Sequence, residues 1–292
     1  MRDGNEQAPR VTIFASTHPD FLIVFGTRVP QLSVVIPCYN AAPFIAATLE
    51  SVLSQTFHDF EVLVMDDCST DASRDVVRSI AARDPRVRLV ELERNHGAPA
   101  APRNAGVQVA RGRWVAFLDA DDLWHPAKVE LQLRALADTG ATMCSTEMRD
   151  FREERGLRWR DPGLRPRVER ISWHKQLIKY RTPTSSIVAD RALMLACPFN
   201  EDLSYKARED TDCFIRVHEH MPYSIKLRHP LVYYRLQANQ ISGNKWRMVS
   251  RHLAMLQKYR RRTGVPLGGL AYVYTFTHFL ASIWLRLIRG VL

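Results

Sequence analysis

From Leu32 onward the chain alternates short apolar, β-branched runs with longer stretches in which apolar residues recur every three or four positions. That alternation is the pattern of a mostly parallel sheet wrapped by helices. Runs at 32–36, 61–65, 87–91 and 114–118 are apolar enough to be buried on both faces, which predicts a βαβαβαβ order for the first half. Between the first two runs Pro43 opens a helix whose Phe44, Ala47, Leu49, Val52 and Leu53 form a core-facing stripe. The next helix is predicted to begin near Asp71, with Ser69 or Thr70 as its cap. The second half is less regular, with helical periodicity at 173–180 and 209–219 and extended runs at 185–189 and 231–234. No internal repeat is visible, which excludes a solenoid.

Near the end the pattern changes. Residues 263–285 carry no formal charge and lie between Lys258, Arg260, Arg261 and Arg262 on one side and Arg286 and Arg289 on the other. Thr275, His278, Ser282, Arg286 and Arg289 recur at helical spacing as one polar stripe against Tyr272, Val273, Phe276, Phe279, Leu280, Ile283, Trp284 and Leu287. A stripe of this kind predicts a helix lying in a membrane interface rather than crossing it, with basic flanks that favour anionic lipid. Packing on the α/β domain, or on a second copy as a homodimer, is the other outcome of such a helix. The chain therefore divides into an N-terminal extension at 1–30, an α/β domain at 31–243 and C-terminal helices at 244–292 that associate with the membrane.

Composition narrows the class. The chain has 292 residues, 46% of them hydrophobic and 25% charged, which are ordinary globular values. A net charge of +10 predicts a surface that attracts anions, and nucleotide diphosphates, anionic lipid and nucleic acid all qualify. Nucleic acid is disfavoured because the Arg-rich stretch 149–170 offers only Phe151 and Trp159 for stacking. Cys38, Cys68, Cys144, Cys197 and Cys213 are scattered and odd in number, so neither a disulfide framework nor a zinc site is expected and a reducing cytoplasm fits. The apolar stretch 21–25 is too short for a signal sequence, so export is not expected.

The candidate chemistry lies at strand ends. Asp119, Asp121 and Asp122 follow the run 114–118 directly, at the edge of an open α/β sheet where ligands bind. Three adjacent carboxylates repel one another unless a cation compensates them, and all-oxygen ligands suit Mg²⁺ or Mn²⁺. Asp66 and Asp67 repeat the arrangement after the second run, where a carboxylate can accept from a base or ribose. No Walker lysine loop or GxGxxG follows any strand, which argues against a P-loop NTPase or a dinucleotide dehydrogenase.

Five ordered motifs carry a family resemblance. Ser33-Val-Val-Ile-Pro-Cys-Tyr-Asn40, Ser54-Gln-Thr-Phe57, Val64-Met-Asp-Asp-Cys-Ser-Thr-Asp71, Pro102-Arg-Asn104 and Phe117-Leu-Asp-Ala-Asp-Asp122 together closely resemble the family 2 glycosyltransferases, which have the GT-A fold. The resemblance continues more loosely through Arg208-Glu-Asp210 and Tyr233-Tyr-Arg235 to Ser242-Gly-Asn-Lys245. In the second half it leans toward bacterial surface-polysaccharide and teichuronic-acid transferases. It implies a Rossmann-like nucleotide-binding half plus an acceptor-binding half. It also implies inverting transfer from a nucleotide-diphosphate sugar, a UDP-sugar above all, to a lipid-linked or polysaccharide acceptor at the cytoplasmic face of the membrane.

Residue by residue, the resemblance gives Pro37, Tyr39, Asn40 and Asp67 to the nucleotide, with Arg103 supporting its pocket or phosphates. It gives Asp121 to the metal, Asp119 to metal and ribose, and Asp210, beside Glu209, to the catalytic base. One departure stands out: Gln237 occupies a position where relatives often carry a metal-ligating His, which leaves the third ligand open. That departure keeps a second reading in play, an inactive relative that scaffolds a glycan-assembly complex.

Overall fold

A computed structural model describes residues 29–163, 165–179, 181–237 and 245–289, without the side chains of 245–247 and 282–289. The N-terminal extension up to residue 28 and most of the motif at 242–245 therefore lie outside the described residues. The first half follows the expected order: β1 (Leu32–Cys38), α1 (Ile45–Leu53), β2 (Phe60–Asp66), α2 (Ser73–Ala81), β3 (Val87–Glu91), α3 (Ala100–Val109) and β4 (Trp114–Phe117). All pairings among these four strands are parallel, in the spatial order β3-β2-β1-β4. β2 and β4 are buried at every position and β1 at all but Pro37, so both faces of this sheet are covered.

The second half contributes β5 (Leu123–Trp124), α4 (Lys128–Thr139), β6 (Met143–Phe151), β7 (Val168–Ile171), α5 (Trp173–Ile178), β8 (Val188–Asp190), α6 (Arg191–Ala196), α7 (Glu209–Val217) and β9 (Ser224–Arg235), then α8 (Lys245–Lys258) and α9 (Leu270–Arg289). The sheet runs on from β4 through β8, β6 and β9, with β5 and β7 both pairing β9. β8 is antiparallel to both neighbours, while β6 and β9 are parallel. The observed architecture is a GT-A-like mixed sheet, parallel in its first half, with helices on both faces and a helical C-terminal part.

Several details differ from the periodicity reading. α1 begins at Ile45, and its inward residues are Ile45, Thr48, Leu49 and Val52; Phe44 is left half-buried beneath the Arg235 guanidinium. α2 begins at Ser73, and Asp71, not Ser69 or Thr70, accepts from the backbone N–H of Ser73. β6 and β9 are far longer than any extended run visible in the sequence, because charged residues interrupt both.

Two large clusters cover the two sheet faces, and a third joins α5 and α7 to the C-terminal helices through Leu177, Ile215, Leu256, Tyr259 and Ala271. The C-terminal helices therefore pack on the domain along one side. The packed side of α9 is the polar one. Thr275 is buried and returns its hydroxyl to the Ala271 carbonyl at 2.8 Å, and the His278 ring lies 4.3 Å from the ring of His252 on α8. Tyr272, Val273, Phe276 and Leu280 stand about half or more exposed on the other side. No helix among the described residues is long and apolar enough to cross a membrane.

Candidate active site

Pro37 is the penultimate residue of β1, and every other site residue that the sequence suggests in the first half sits just beyond a strand's C-terminal end or on the helix that follows. β1 runs into Tyr39 and Asn40, and β2 into Asp67 and Cys68, with the two loops laced together. Asn40 donates its N–H to Ser69 Oγ at 3.0 Å and accepts from the Thr70 N–H at 2.8 Å, while Ala41 and Ala42 donate to Ser73 and Asp71. Asn40 and Cys68 adopt positive φ of 49° and 61°, a region that costs a residue with a Cβ about 1 kcal/mol and that this lacing holds in place. Asn40 thus shapes the loop with its side chain, whereas Tyr39 stands exposed at the strand end.

Asp67 is almost fully buried, and its carboxylate accepts twice from one residue that sequence reasoning missed. The His96 backbone N–H lies 3.0 Å from both oxygens, and His96 Nδ1 lies 2.7 Å from Oδ1. Asn95 donates its amide to the Asp67 carbonyl at 2.7 Å. A cavity of about 320 Å³ opens beside them, lined by Arg94, Asn95, His96, Ala98, Ala100, Ala101 and Glu201. The available signal was the Asn-His-Gly turn between β3 and α3, with Gly97 at φ 72°.

Arg103 is the centre of the arrangement. α3 presses against β1 and β2 at Gly106, where any Cβ would collide with Val35 and Met65, and this approach brings Arg103 to the strand ends. Its guanidinium, 3% exposed, reaches Asp119 Oδ1 at 2.6 Å and Glu209 Oε1 at 3.4 Å. Burial alone would lower its proton affinity; the carboxylates of Asp119 and Glu209 outweigh that and hold it above its ordinary value. One side chain therefore joins the end of β4 to the start of α7.

The three aspartates after β4 have separate fates. Asp119 is partly exposed, takes the Arg103 ion pair and donates its backbone N–H to Ser185 Oγ at 3.1 Å. Asp121 accepts from the Gln237 amide, and its carboxyl is pushed up to about 6 by burial and then by Asp119, against the pull of Gln237. Asp122 is fully buried and accepts from the Arg235 backbone N–H at 3.0 Å, so it braces the turn. Arg235 also donates Nε to the Asp121 carbonyl at 2.8 Å, pairs with Glu154, and lies over the rings of Phe44 and Phe151.

Gln237 thus occupies the side of Asp121 where an imidazole was the expected ligand. Among the described residues no three His, Cys, Asp or Glu side chains come together as a ready cation cage. The pair Asp119 and Asp121 still fits Mg²⁺ or Mn²⁺, because such ions are held by one or two carboxylates plus substrate phosphates, and because a cation would offset both the burial of the Asp121 carboxylate and the repulsion that Asp119 adds to it.

On the opposite side, α7 begins with Glu209 and Asp210, acids that suit the positive end of a helix. Asp210 is half-buried and accepts from the Thr211 N–H at 2.6 Å and the Thr184 hydroxyl at 3.3 Å. Glu209 is buried, and its carboxyl is raised by burial and by Asp210 while Arg103 opposes both. Of the run 185–189 expected to be extended, 188 and 189 lie in β8, while Ser185 and Ser186 join Thr184 in a short 3-10 turn that delivers Thr184 to Asp210 and Ser185 to Asp119.

The family model for glycosyl transferase family 2 matches residues 33–201, more than half of the chain. The chain belongs to this family. The matched segment of the family 2 domain contains Asp67, Arg103, Asp119 and Asp121 and ends before Asp210. A Bacillus subtilis protein named for teichuronic acid biosynthesis, TuaG, is 42% identical over 117 residues, covering 40% of this chain and 46% of TuaG. The Escherichia coli protein WfaP, named UDP-Glc:alpha-D-GlcNAc-diphosphoundecaprenol beta-1,3-glucosyltransferase, is 28% identical over 229 residues, covering 77% of this chain and 85% of WfaP. Among solved structures, the mannosyltransferase PcManGT from Pyrobaculum calidifontis, in complex with GDP-Man and Mn²⁺, superposes with a TM-score of 0.58 at 22% identity, covering 86% of this chain and 70% of that one. That likeness shows the shared GT-A fold. The chain spans less than half the length of TuaG.

All five cysteines are free, and Cys38, Cys144 and Cys213 are buried thiols whose pKa is raised by burial.

Proposed function

We propose that this family 2 protein is an inverting glycosyltransferase that moves a sugar from a UDP-sugar to a lipid-linked or polysaccharide acceptor in cell-surface glycan synthesis. The observation that carries the reading is the Arg103 bridge, which sets the donor-side acid Asp119 and the start of α7, with Asp210, on either side of one buried guanidinium. The names of TuaG and WfaP support the reaction and the acceptor class.

In this reading the loops after β1 and β2 receive the nucleotide, with Pro37 and Tyr39 beside the base and Asp67, held by His96, at its edge. Asp121 and Asp119 would hold Mg²⁺ or Mn²⁺, which when bound neutralises charge on the leaving diphosphate. Asp210 takes the proton from the acceptor hydroxyl as its oxygen bonds to the anomeric carbon. The carbon–oxygen bond to the nucleoside diphosphate breaks on the opposite face, so configuration inverts. Thr184 and the Thr211 N–H orient the Asp210 carboxylate, and Glu209, engaged by Arg103, fixes the start of α7.

The outward apolar face of α9 supports a peripheral place on the inner surface of the membrane. Tyr272, Val273, Phe276 and Leu280 form a contiguous exposed set beyond the basic run Arg260–Arg262. Thermal unfolding with UDP, GDP and single-stranded DNA, each with and without Mn²⁺, tests the function. Metal-dependent stabilisation by a nucleotide, followed by transfer from UDP-glucose to a prenyl diphosphate sugar, is the expected result. Stabilisation by DNA alone overturns it, and nucleotide binding without transfer favours the scaffold.

A further inference from the structure

The Asp121 carboxylate is met from across the sheet by a side chain that follows β9. Three successive residues bind the turn after β4 to that strand. The Arg235 backbone N–H donates to Asp122 Oδ1 at 3.0 Å, and its Nε donates to the Asp121 carbonyl at 2.8 Å. The Leu236 N–H donates to the Phe151 carbonyl at 2.8 Å, so the chain leaves the sheet on a fixed course. Gln237 then places its amide Nε2 on Asp121 Oδ2. Asp121 is thereby held twice, its carbonyl by Arg235 and its carboxylate by Gln237.

The donors gathered here are oxygens. Asp119 and Asp121 bring carboxylates, and the neighbouring Asp122 Oδ2 is buried with no hydrogen-bond partner, an acceptor left without compensation. The imidazoles on the flanking β5 side and on β9 are turned to other partners. His125 Nδ1 accepts from the Ala127 N–H at 3.0 Å, and His229 Nε2 lies 3.2 Å from the Arg160 carbonyl. Gln237 adds an amide, whose N–H faces Asp121 because an ionised carboxylate only accepts. The other terminal atom of that amide is a carbonyl oxygen. Gln237 is exposed, so little packing opposes a turn of the amide that brings this oxygen to a cation on Asp121.

Donor type decides which ion such a site prefers. Carboxylate, carbonyl and water oxygens suit Mg²⁺ and Mn²⁺, whereas an imidazole in the same place would favour ions such as Ni²⁺. Ni²⁺ is close to Mg²⁺ in size and also octahedral, so a comparison of the two isolates the donor atom from the geometry.

We propose that Gln237 is the oxygen-donating partner that sets the ion choice of the Asp119–Asp121 site, selecting Mg²⁺ or Mn²⁺ over ions that prefer nitrogen. This rests on the glycosyltransferase reading above and adds the residue that determines its cation. The test titrates UDP calorimetrically into the tag-free full chain across a range of Mg²⁺ and of Ni²⁺ concentrations. Wild type is compared with Gln237→His and Gln237→Leu, each checked for an unchanged unfolding midpoint. The dependence of UDP affinity on each ion gives the affinity of that ion by linkage, without requiring turnover.

Gln237→His should raise Ni²⁺ affinity relative to Mg²⁺ by about tenfold or more, within the span seen when groups around a bound metal are changed. The visible absorption of bound Ni²⁺ should move to shorter wavelength in this variant, as nitrogen replaces oxygen. Gln237→Leu should weaken both ions about tenfold and leave their ratio unchanged. A residue that only braced the turn would change both ions alike in both variants. An unchanged ratio in Gln237→His, or wild-type affinity for both ions in Gln237→Leu, overturns the proposal. UDP binding indifferent to every divalent ion overturns it together with the metal dependence of the reading above. The expected ion ratios without any sugar transfer sink the glycosyltransferase reading alone and leave Gln237 as the residue that selects the ion.

Discussion

The strand-end site and the C-terminal helix pair use apolar residues in opposite senses. Around β1 to β4 the apolar runs are buried and the polar residues that follow them gather at one sheet edge, so polarity marks the site. On α9 the polar Thr275 and His278 turn inward, while Phe276 is 61% exposed and Tyr272 58%. The hydrophobic effect is the same in both; what differs is the medium beyond the surface. Water on the outside selects an apolar interior, and a helix with an apolar exterior is matched to something other than water.

The difference should break most strongly at Asp210, the proposed base. Asp210→Asn should keep nucleotide affinity and lose about two to four orders of magnitude in kcat, the usual contribution of a positioned general base. Steady-state kinetics beside calorimetry separates the two, and near-normal transfer would move the base role to Glu209.

Arg103→Met comes next. It leaves Glu209 buried beside Asp210 and leaves Asp119 without its cation, and removing one partner of a buried ion pair costs ~3–5 kcal/mol. Urea unfolding should show that loss. A loss below about 1 kcal/mol would mean that the guanidinium is not what holds α7 to the sheet.

The two regions also differed in how far the sequence disclosed them. Asp67 and the cluster that opens with Asp119 and includes Asp121 were legible because an uninterrupted buried run ends directly before each, where burial on both faces leaves no ambiguity of period. Ser54-Gln-Thr-Phe57 was legible only as a motif; its Gln55 proves to be a brace, donating to the His125 carbonyl at 2.8 Å and accepting from the Val129 N–H. His96 was hidden because a turn residue gives no periodic signal, and Ser185 because its 3-10 turn resembles a strand in composition. Thr275 and His278 of the polar stripe on α9 were legible as one face, but periodicity reports that a helix has two faces and not which one meets the protein.

A milder break concerns those two faces. Phe276→Ser with Leu280→Ser removes apolar surface that is already exposed, so fold stability and nucleotide affinity should hardly change. Partition onto anionic vesicles should fall by roughly tenfold or more, since each large apolar side chain contributes about 1.5–3 kcal/mol when fully buried. Sedimentation at low and high salt measures it. Unchanged sedimentation, with a shift from dimer to monomer in gel filtration, would make this face an interface between two copies.

The smallest expected effect lies in the core behind the strand-end site. Lys128, at the start of α4, is fully buried with no hydrogen-bond partner for Nζ, which sits 3.7 Å from the centroid of the Trp124 ring. The ring face returns part of the lost hydration, yet burial still pushes the ammonium from 10.5 down to about 7. Between those values the unfolded chain carries a proton that the folded chain does not, so this residue makes stability rise with pH from about 7 to 10.5. Below pH 7 both states are protonated and the cost of the buried charge is present in full. Lys128→Met should therefore raise stability by ~1–2 kcal/mol at pH 6, within the range seen when buried charges become apolar. The gain should shrink steadily as pH rises toward 10. Unfolding midpoints of the two proteins from pH 6 to 10 decide it, and a constant difference across that range would show that Lys128 does not lose its proton on folding.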